Sequence, residues 1–251
     1  MSTQINKFEI MEYINTGVDI NSRNDEGNTL LHLQKNEEVV RLLIEYGADV
    51  NARNYDGMAP LHFQRDKEIV RMLIETGADV NARDKSDNTP LHCQKDEEVV
   101  RLLIEAGADV NARNNSNNTP LHFQKDERVT RLLIEAGAIV NMRNRTGYTP
   151  LHFQNNEEVV KLLIRSGADV DVKNITGRTP IQYNSVVKKV IETMASETIS
   201  RFFRNCKWLR LHKLTRTFAF NKWYCGEEDG NGGGTGRKVD HKRIMDSFRR
   251  G

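Results

Sequence analysis

Thr89-Pro90-Leu91-His92-Cys93-Gln94-Lys95-Asp96-Glu97-Glu98-Val99-Val100-Arg101-Leu102-Leu103-Ile104-Glu105-Ala106-Gly107-Ala108-Asp109-Val110-Asn111 opens one period of a thirty-residue repeat. Its Thr-Pro-Leu-His tetrad returns at Thr119–His122 and Thr149–His152, and the run Leu102–Ala108 returns as Leu132–Ala138. A fixed period in this range marks stacked supersecondary units, each too small to bury its own apolar face. His32, His62, His92, His122 and His152 mark the units, which read as 25–54, 55–84, 85–114, 115–144 and 145–174. A degenerate unit follows from 175 to 184 onward, and residues 1–24 form an N-terminal capping half-repeat.

Each unit carries its own helix signals. Thr89 is placed to cap a short first helix, with Pro90 at its first position, where the missing amide proton costs nothing. Asp96 caps a second helix, and Glu97 and Glu98 set negative charge at the positive end of its dipole. Val99, Leu102, Leu103 and Ile104 present the expected apolar stripe, while Glu97 and Arg101 pair at i,i+4 on the wet side. Gly107 ends the helix in the left-handed conformation such an ending needs. The following Asp109–Asn118 is polar and turn-rich, as a connecting hairpin or loop should be.

The Thr-Pro-Leu-His tetrad, the Glu98–Ile104 run and the Gly107–Asn111 run together resemble the ankyrin repeat family over roughly residues 8–184. The resemblance implies an all-α solenoid of stacked helix-turn-helix units with hairpin loops, a non-catalytic protein-binding scaffold rather than an enzyme. It implies a partner on the concave face, built from first helices and hairpin tips, and no cofactor. The units are about three residues shorter than the family norm. The shortfall lies between His92 and Glu98, so the first helix should span only one to two turns. Leu30 in place of proline, Ala59 in place of threonine and Gln182 in place of histidine mark the units expected to be irregular. Near-identical arrays of this kind resemble those of intracellular bacteria and large DNA viruses as well as eukaryotes, so a host-interaction role, with export to a host cell, is among those implied.

The formal charge of +2 hides an asymmetry: residues 1–184 hold 22 basic against 28 acidic side chains, and 185–251 hold 15 against 7. The chain is an acidic array followed by a basic tail. Cys93, Cys206 and Cys225 form no even disulfide framework, which suits a reducing compartment. The start has no basic segment before an apolar run, and no stretch approaches eighteen apolar residues, so a cytoplasmic monomer is expected.

The recurring histidines invite a metal reading, but one per unit sets neighbours about 10 Å apart, too far to share a zinc ion with bonds near 2 Å. In the resembling family this histidine ties the tetrad turn to its neighbours, and no catalytic or metal-ligating residue is assigned. A second stripe, Leu33, Phe63, Cys93, Phe123, Phe153 and Tyr183, reads either as core filler for the shortened helix or as a hydrophobic binding strip. The tips vary against a constant framework. Candidate partner contacts are therefore Tyr55, Met58, Lys85, Asn115, Arg145 and Tyr148, together with Phe63, Phe123 and Phe153 of the stripe. Asn51, Asn81 and Asn111, each eight residues after a leucine, resemble substrates of asparaginyl hydroxylases, although a structural turn role is the simpler reading.

Beyond 185 the repeat fades. Ile199, Phe202, Phe203, Cys206 and Leu209 share one helical face, with basic residues on the other. This segment, 185–225, reads as a C-terminal cap or as a tether to an acidic membrane surface or nucleic acid. The tether's contacts would be Arg201, Arg204, Lys207, Trp208, Arg210 and Trp223. Residues 226–251 form a glycine-rich basic end. There Gly232–Lys238 departs from the phosphate-loop pattern, because Arg237 separates the last glycine from the lysine, and a flexible linker is the better reading.

Overall fold

The computed structural model describes residues 6–205, with side chains to residue 197. The chain divides into two units, residues 1–195 and 196–251, and of the second only the end of one helix, 196–205, is described. Helix α1 (Lys7–Asn15) is followed by alternating short and long helices: α2 (Leu30–Leu33), α3 (Glu37–Glu45), α4 (Pro60–Phe63), α5 (Lys67–Glu75), α6 (Pro90–Cys93), α7 (Glu97–Glu105), α8 (Pro120–Phe123) and α9 (Glu127–Glu135). A 3-10 turn (Pro150–Phe153), α10 (Glu157–Arg165), α11 (Pro180–Tyr183) and α12 (Ser185–Asn205) complete the order. Among the described residues there is no strand, and the hairpin-shaped tips are carried by turns.

The nine-residue helices start where the sequence signals it. Asp96 Oδ1 accepts from the backbone N–H groups of Glu98 and Val99 at 3.0 and 3.1 Å, and Asp66 and Asp126 do the same one repeat away. They end at left-handed glycine: Gly107 has φ 87°, and the Gly107 and Ala108 amides return to the carbonyls of Ile104 and Leu103 at 3.0 and 2.9 Å.

The buried stripe differs from the expected one. Val99, Val100 and Leu103 are fully buried, whereas Leu102 and Ile104 are half-exposed and pack against the edge of the core. A helix held between the long helices of the preceding and following repeats buries two flanks, so adjacent valines are covered together. Leu61, Leu91, Leu121 and Leu151 of the tetrads supply the rest of the core.

The units expected to be irregular are regular. Leu30 and Ala59 open α2 and α4 as ordinary single turns, and the 3-10 turn falls instead on Pro150–Phe153, where the tetrad is intact. Gln182 replaces histidine without loss of the cap, because its Oε1 accepts from the Thr179 N–H at 3.1 Å.

A buried glutamine closes each shortened first helix from α2 to the 3-10 turn at Pro150–Phe153, a role with no local signature in the sequence, and Asn184 takes its place after α11. Gln64, Gln94, Gln124 and Gln154 are at most 3 % exposed. Gln94, Gln124 and Gln154 donate Nε2–H to the backbone carbonyl of the glutamine one repeat earlier, at 2.9, 2.7 and 2.8 Å. With only one helical turn, the chain leaves in extended conformation and strands these carbonyls in the core, where an unpaired acceptor is costly. The glutamine side chain replaces the missing turn as their donor.

At the end of the array α12 lays Val187 and Val190, both buried, on the last repeat, with Val186, Ile191 and Met194 packed beside them. The capping contacts thus come from the first turns of the helix. Of the apolar face expected at 199–209, Ile199, Phe202 and Phe203 fall within α12, but their side chains lie outside the described residues. The same holds for the side chains of Arg201 and Arg204, and Lys207, Trp208, Arg210, Trp223 and the glycine-rich segment lie beyond the described residues altogether. Among the described residues no helix is long and apolar enough to cross a membrane.

Candidate functional site

The tips and first helices form one continuous surface, and the repeat histidine joins them. Thr89 donates its backbone N–H to His92 Nδ1 at 3.0 Å, and its hydroxyl meets the same nitrogen at 2.9 Å. Accepting at Nδ1 leaves the ring proton on Nε2, which donates to the Asn118 carbonyl at the next tip, at 3.1 Å. His32, His62, His122 and His152 reach the carbonyls of Met58, Asn88, Tyr148 and Arg178 in the same way, at 3.0 to 3.3 Å. Burial lowers the pKa of every one of these imidazoles, His122 to about 4. Both nitrogens are committed, which is the tying role the resemblance implied. Among the described residues no group of three or more His, Cys, Asp or Glu side chains could hold a metal ion.

Three further ladders fix the tips. The amides of Tyr55, Lys85, Asn115, Arg145 and Ile175 donate to the carbonyls of Glu26, Asp56, Ser86, Ser116 and Thr146, at 2.8 to 3.1 Å. Asn54 Oδ1 accepts from the Asp56 and Met58 amides within its own tip, while its Nδ2 donates to Asn28 Oδ1 of the previous one at 2.9 Å. Arg53 donates to the carbonyls of Gly57 and Arg83, at 2.9 and 2.7 Å. Behind the tips, Asn51, Asn81 and Asn111 donate Nδ2–H to the carbonyls of Gly77, Gly107 and Gly137, at 3.0 to 3.1 Å. Their Oδ1 atoms accept from the amides of Asp79, Asp109 and Ile139 at 2.8 Å. Those carboxamides are engaged at both ends, as a turn role requires.

On this rigid backbone the variable side chains stand outward. Tyr55 is 60 % exposed, with its ring against Gly27, and Lys85, Asn115 and Arg145 are exposed at the successive later tips, Asn115 donating Nδ2–H to the Lys85 carbonyl at 3.0 Å. Met58 is half-buried. The stripe is not core filler: Phe63, Cys93 and Phe153 are half-exposed, and Phe123 and Tyr183 are 41 % and 44 % exposed. Phe63, Phe123 and Phe153 lie against the histidine of the preceding repeat, with ring centroids 5.6, 6.1 and 6.2 Å apart. Tyr148 is the one candidate that gathers others around it. It stacks on Phe153 at 5.1 Å and 24°, and meets His152 and Tyr183 edge-on at 5.2 and 5.0 Å.

The profile described as ankyrin repeats, in three copies, matches residues 1–84, 63–123 and 93–174. Among solved structures the chain is similar to the ankyrin repeat domain of Bcl-3, described as a unique member of the IkappaB protein family. The two are 29 % identical with a TM-score of 0.58, over 74 % of this chain and 91 % of that one. No curated protein sequence matches.

Proposed function

Since the chain belongs to the ankyrin repeat family, a family of protein-interaction scaffolds, we propose that it is non-catalytic and binds a partner protein on the concave face made by its tips and first helices. The observation that carries this reading is a division of labour between residues. Most of the repeated polar side chains are spent on bonds from one repeat to the next, while the varied Tyr55, Lys85 and Arg145 are exposed on a backbone those bonds hold still. A surface ordered before binding loses little entropy on association. Tyr55, Met58, Phe63, Phe123, Tyr148 and Phe153 supply the apolar anchors, and Lys85, Asn115 and Arg145 the polar contacts.

The test is capture from cell lysate on full-length chain, compared with a variant carrying Tyr55→Ala, Lys85→Glu and Arg145→Glu. The expected result is an unchanged urea midpoint with loss of the captured partner. A partner held equally by both would overturn the assignment to this face. The same capture at rising salt addresses the second reading, in which the basic segment 185–251, with 15 basic against 7 acidic residues, tethers the array to an acidic surface or nucleic acid. A steep salt dependence that is insensitive to the tip variant would favour it.

A further inference from the structure

The row of tips carries a charge gradient. The first tip holds two carboxylates, Asp25 and Glu26, and the second holds one, Asp56. The third sets Lys85 against Asp87 and against Asp84, which occupies the place of Asn54 and leaves one net negative charge, and the fourth, Asn115–Asn118, has no charge of either sign. The fifth holds one arginine, Arg145, and the sixth another, Arg178. The remaining basic side chains near this surface do not create the slope. Arg23, Arg53, Arg83, Arg113 and Arg143 recur in every unit, each donating to a carbonyl of the next repeat. Lys35, Arg65, Lys95 and Lys125 recur after the first helices of the first four units, and Asn155 replaces them in the fifth, so this position does not create the slope either.

The apolar surface runs with the gradient. At the position of Tyr148, earlier tips have Asn28, Met58, Asn88 and Asn118, so the ring cluster of Tyr148, Phe153 and Tyr183 belongs to the basic end alone. Ile175, at the last described tip, is 70 % exposed. Arg178 joins the cluster through its carbonyl, 3.3 Å from His152 Nε2, and the Arg143 guanidinium folds against Gly147, next to Tyr148. A cation drawn to an aromatic face is repelled by positive charge beside it. This one is bordered by guanidinium groups, which favour carboxylates.

We propose that this face takes an extended protein segment in a fixed direction: a stretch combining carboxylates with leucine or aromatic anchors lies over residues 115–184, and a basic stretch lies over residues 25–58. The proposal rests on the concave-face reading and adds the chemistry and polarity of the partner. At about 10 Å per repeat and 3.3 Å per extended residue, a segment of about fifteen residues spans the row. Complementary charge at both ends sets the register, and like charge penalises the reversed pose.

Fifteen-residue peptides would be selected from a random display library on the full chain, and the enriched sequences synthesised and titrated against variants. The expected peptides carry acidic residues beside leucine or aromatic anchors in one half and basic residues in the other. Their affinity should fall at least tenfold with Arg178→Glu and with Tyr183→Ala, both exposed positions where an unchanged urea midpoint checks the fold. Asp56→Lys should weaken the same peptides, and neutralising the peptide's basic half should abolish that effect. Uniformly basic peptides, or peptides indifferent to Arg178→Glu but lost with Tyr55→Ala, would overturn the proposed polarity while leaving the face in place. Peptides indifferent to every one of these variants would overturn the face as well. Failure to enrich any peptide would overturn the extended-segment proposal alone, because a folded partner could still use the surface.

Discussion

His122 uses Nδ1 to accept the Thr119 N–H at 3.0 Å and Nε2–H to reach the Tyr148 carbonyl at 3.3 Å, so a second ring proton lands where a donor already points. The fold therefore favours the neutral ring, and burial is the main cause of its pKa falling from 6.5 to about 4. A native pKa below the unfolded one means the full stabilisation is present above about pH 6.5. It is lost progressively as the pH falls toward 4, by on the order of 3 kcal/mol for this one residue. Urea unfolding between pH 7.5 and 5 should show a falling midpoint. His122→Gln should make that slope shallower, because Gln182 already makes the equivalent cap with an amide that does not titrate, while the other four buried histidines keep the remainder; an unchanged slope would show that this ring does not contribute to the pH dependence. The buried glutamines invite a second test. Gln124→Leu removes the donor to the Gln94 carbonyl, 2.7 Å away, and leaves that acceptor dry and unpaired. The expected loss is about 1–3 kcal/mol, read from the urea midpoint, and a neutral outcome would mean water or a relaxed backbone satisfies the carbonyl.

Helix ends use a left-handed glycine, as do the tips except the third and fourth, where Asp87 and Asn117 take φ 59°, yet the two settings differ in what surrounds the glycine. A Cβ on Gly107, at φ 87°, would meet nothing within 4 Å, whereas one on Gly27, at φ 77°, would sit 2.7 Å from Tyr55 Cδ1 and 2.8 Å from Tyr55 N. Gly107→Ala should thus cost only the conformational penalty, about 1 kcal/mol. Gly27→Ala should cost at least about twice that and disturb the Tyr55 amide bond to Glu26; equal losses in thermal unfolding would contradict the close approach. These elements also show what the sequence made legible. Asp96, Pro90 and Gly107 act within their own helix, so local rules placed them correctly. Gln94 sits in a polar run, Cys93-Gln94-Lys95-Asp96, that reads as a wet loop, and its burial follows only from carbonyls contributed by the previous repeat. Leu102 and Val100 exchanged their expected burial for a similar reason, since one-helix periodicity does not register neighbours packed on both flanks. Of the candidate site, the variable tips were readable as exposed, but the gathering of Tyr148, Phe153 and Tyr183 joins the fifth unit to the sixth and has no signature in either alone.

Across the whole array the contacts are between neighbours. Asn21, Asn51, Asn81, Asn111 and Asn141 each bridge to the next repeat only. Such a molecule is close to one-dimensional: its stability is a sum of repeat and interface contributions, and damage at one end should fade along the stack. Lys7 of α1 pairs with Glu38, and Lys189 of α12 with Glu157, but these ion pairs are exposed and contribute little. The C-terminal end depends instead on Val187 and Val190, which shield the last repeat from water. Val187→Asp places an unpaired carboxylate in that seam, a strongly destabilising change for the interface it occupies. Followed by amide hydrogen exchange, the variant should lose protection first in α11 and α10, less in α9, and hardly at all in α3 and α5. Equal loss in every repeat would mean that the interfaces couple the array into a single cooperative unit. A graded loss would mean that the basic, aromatic end of the row of tips, next to α12, can open while the acidic end stays folded.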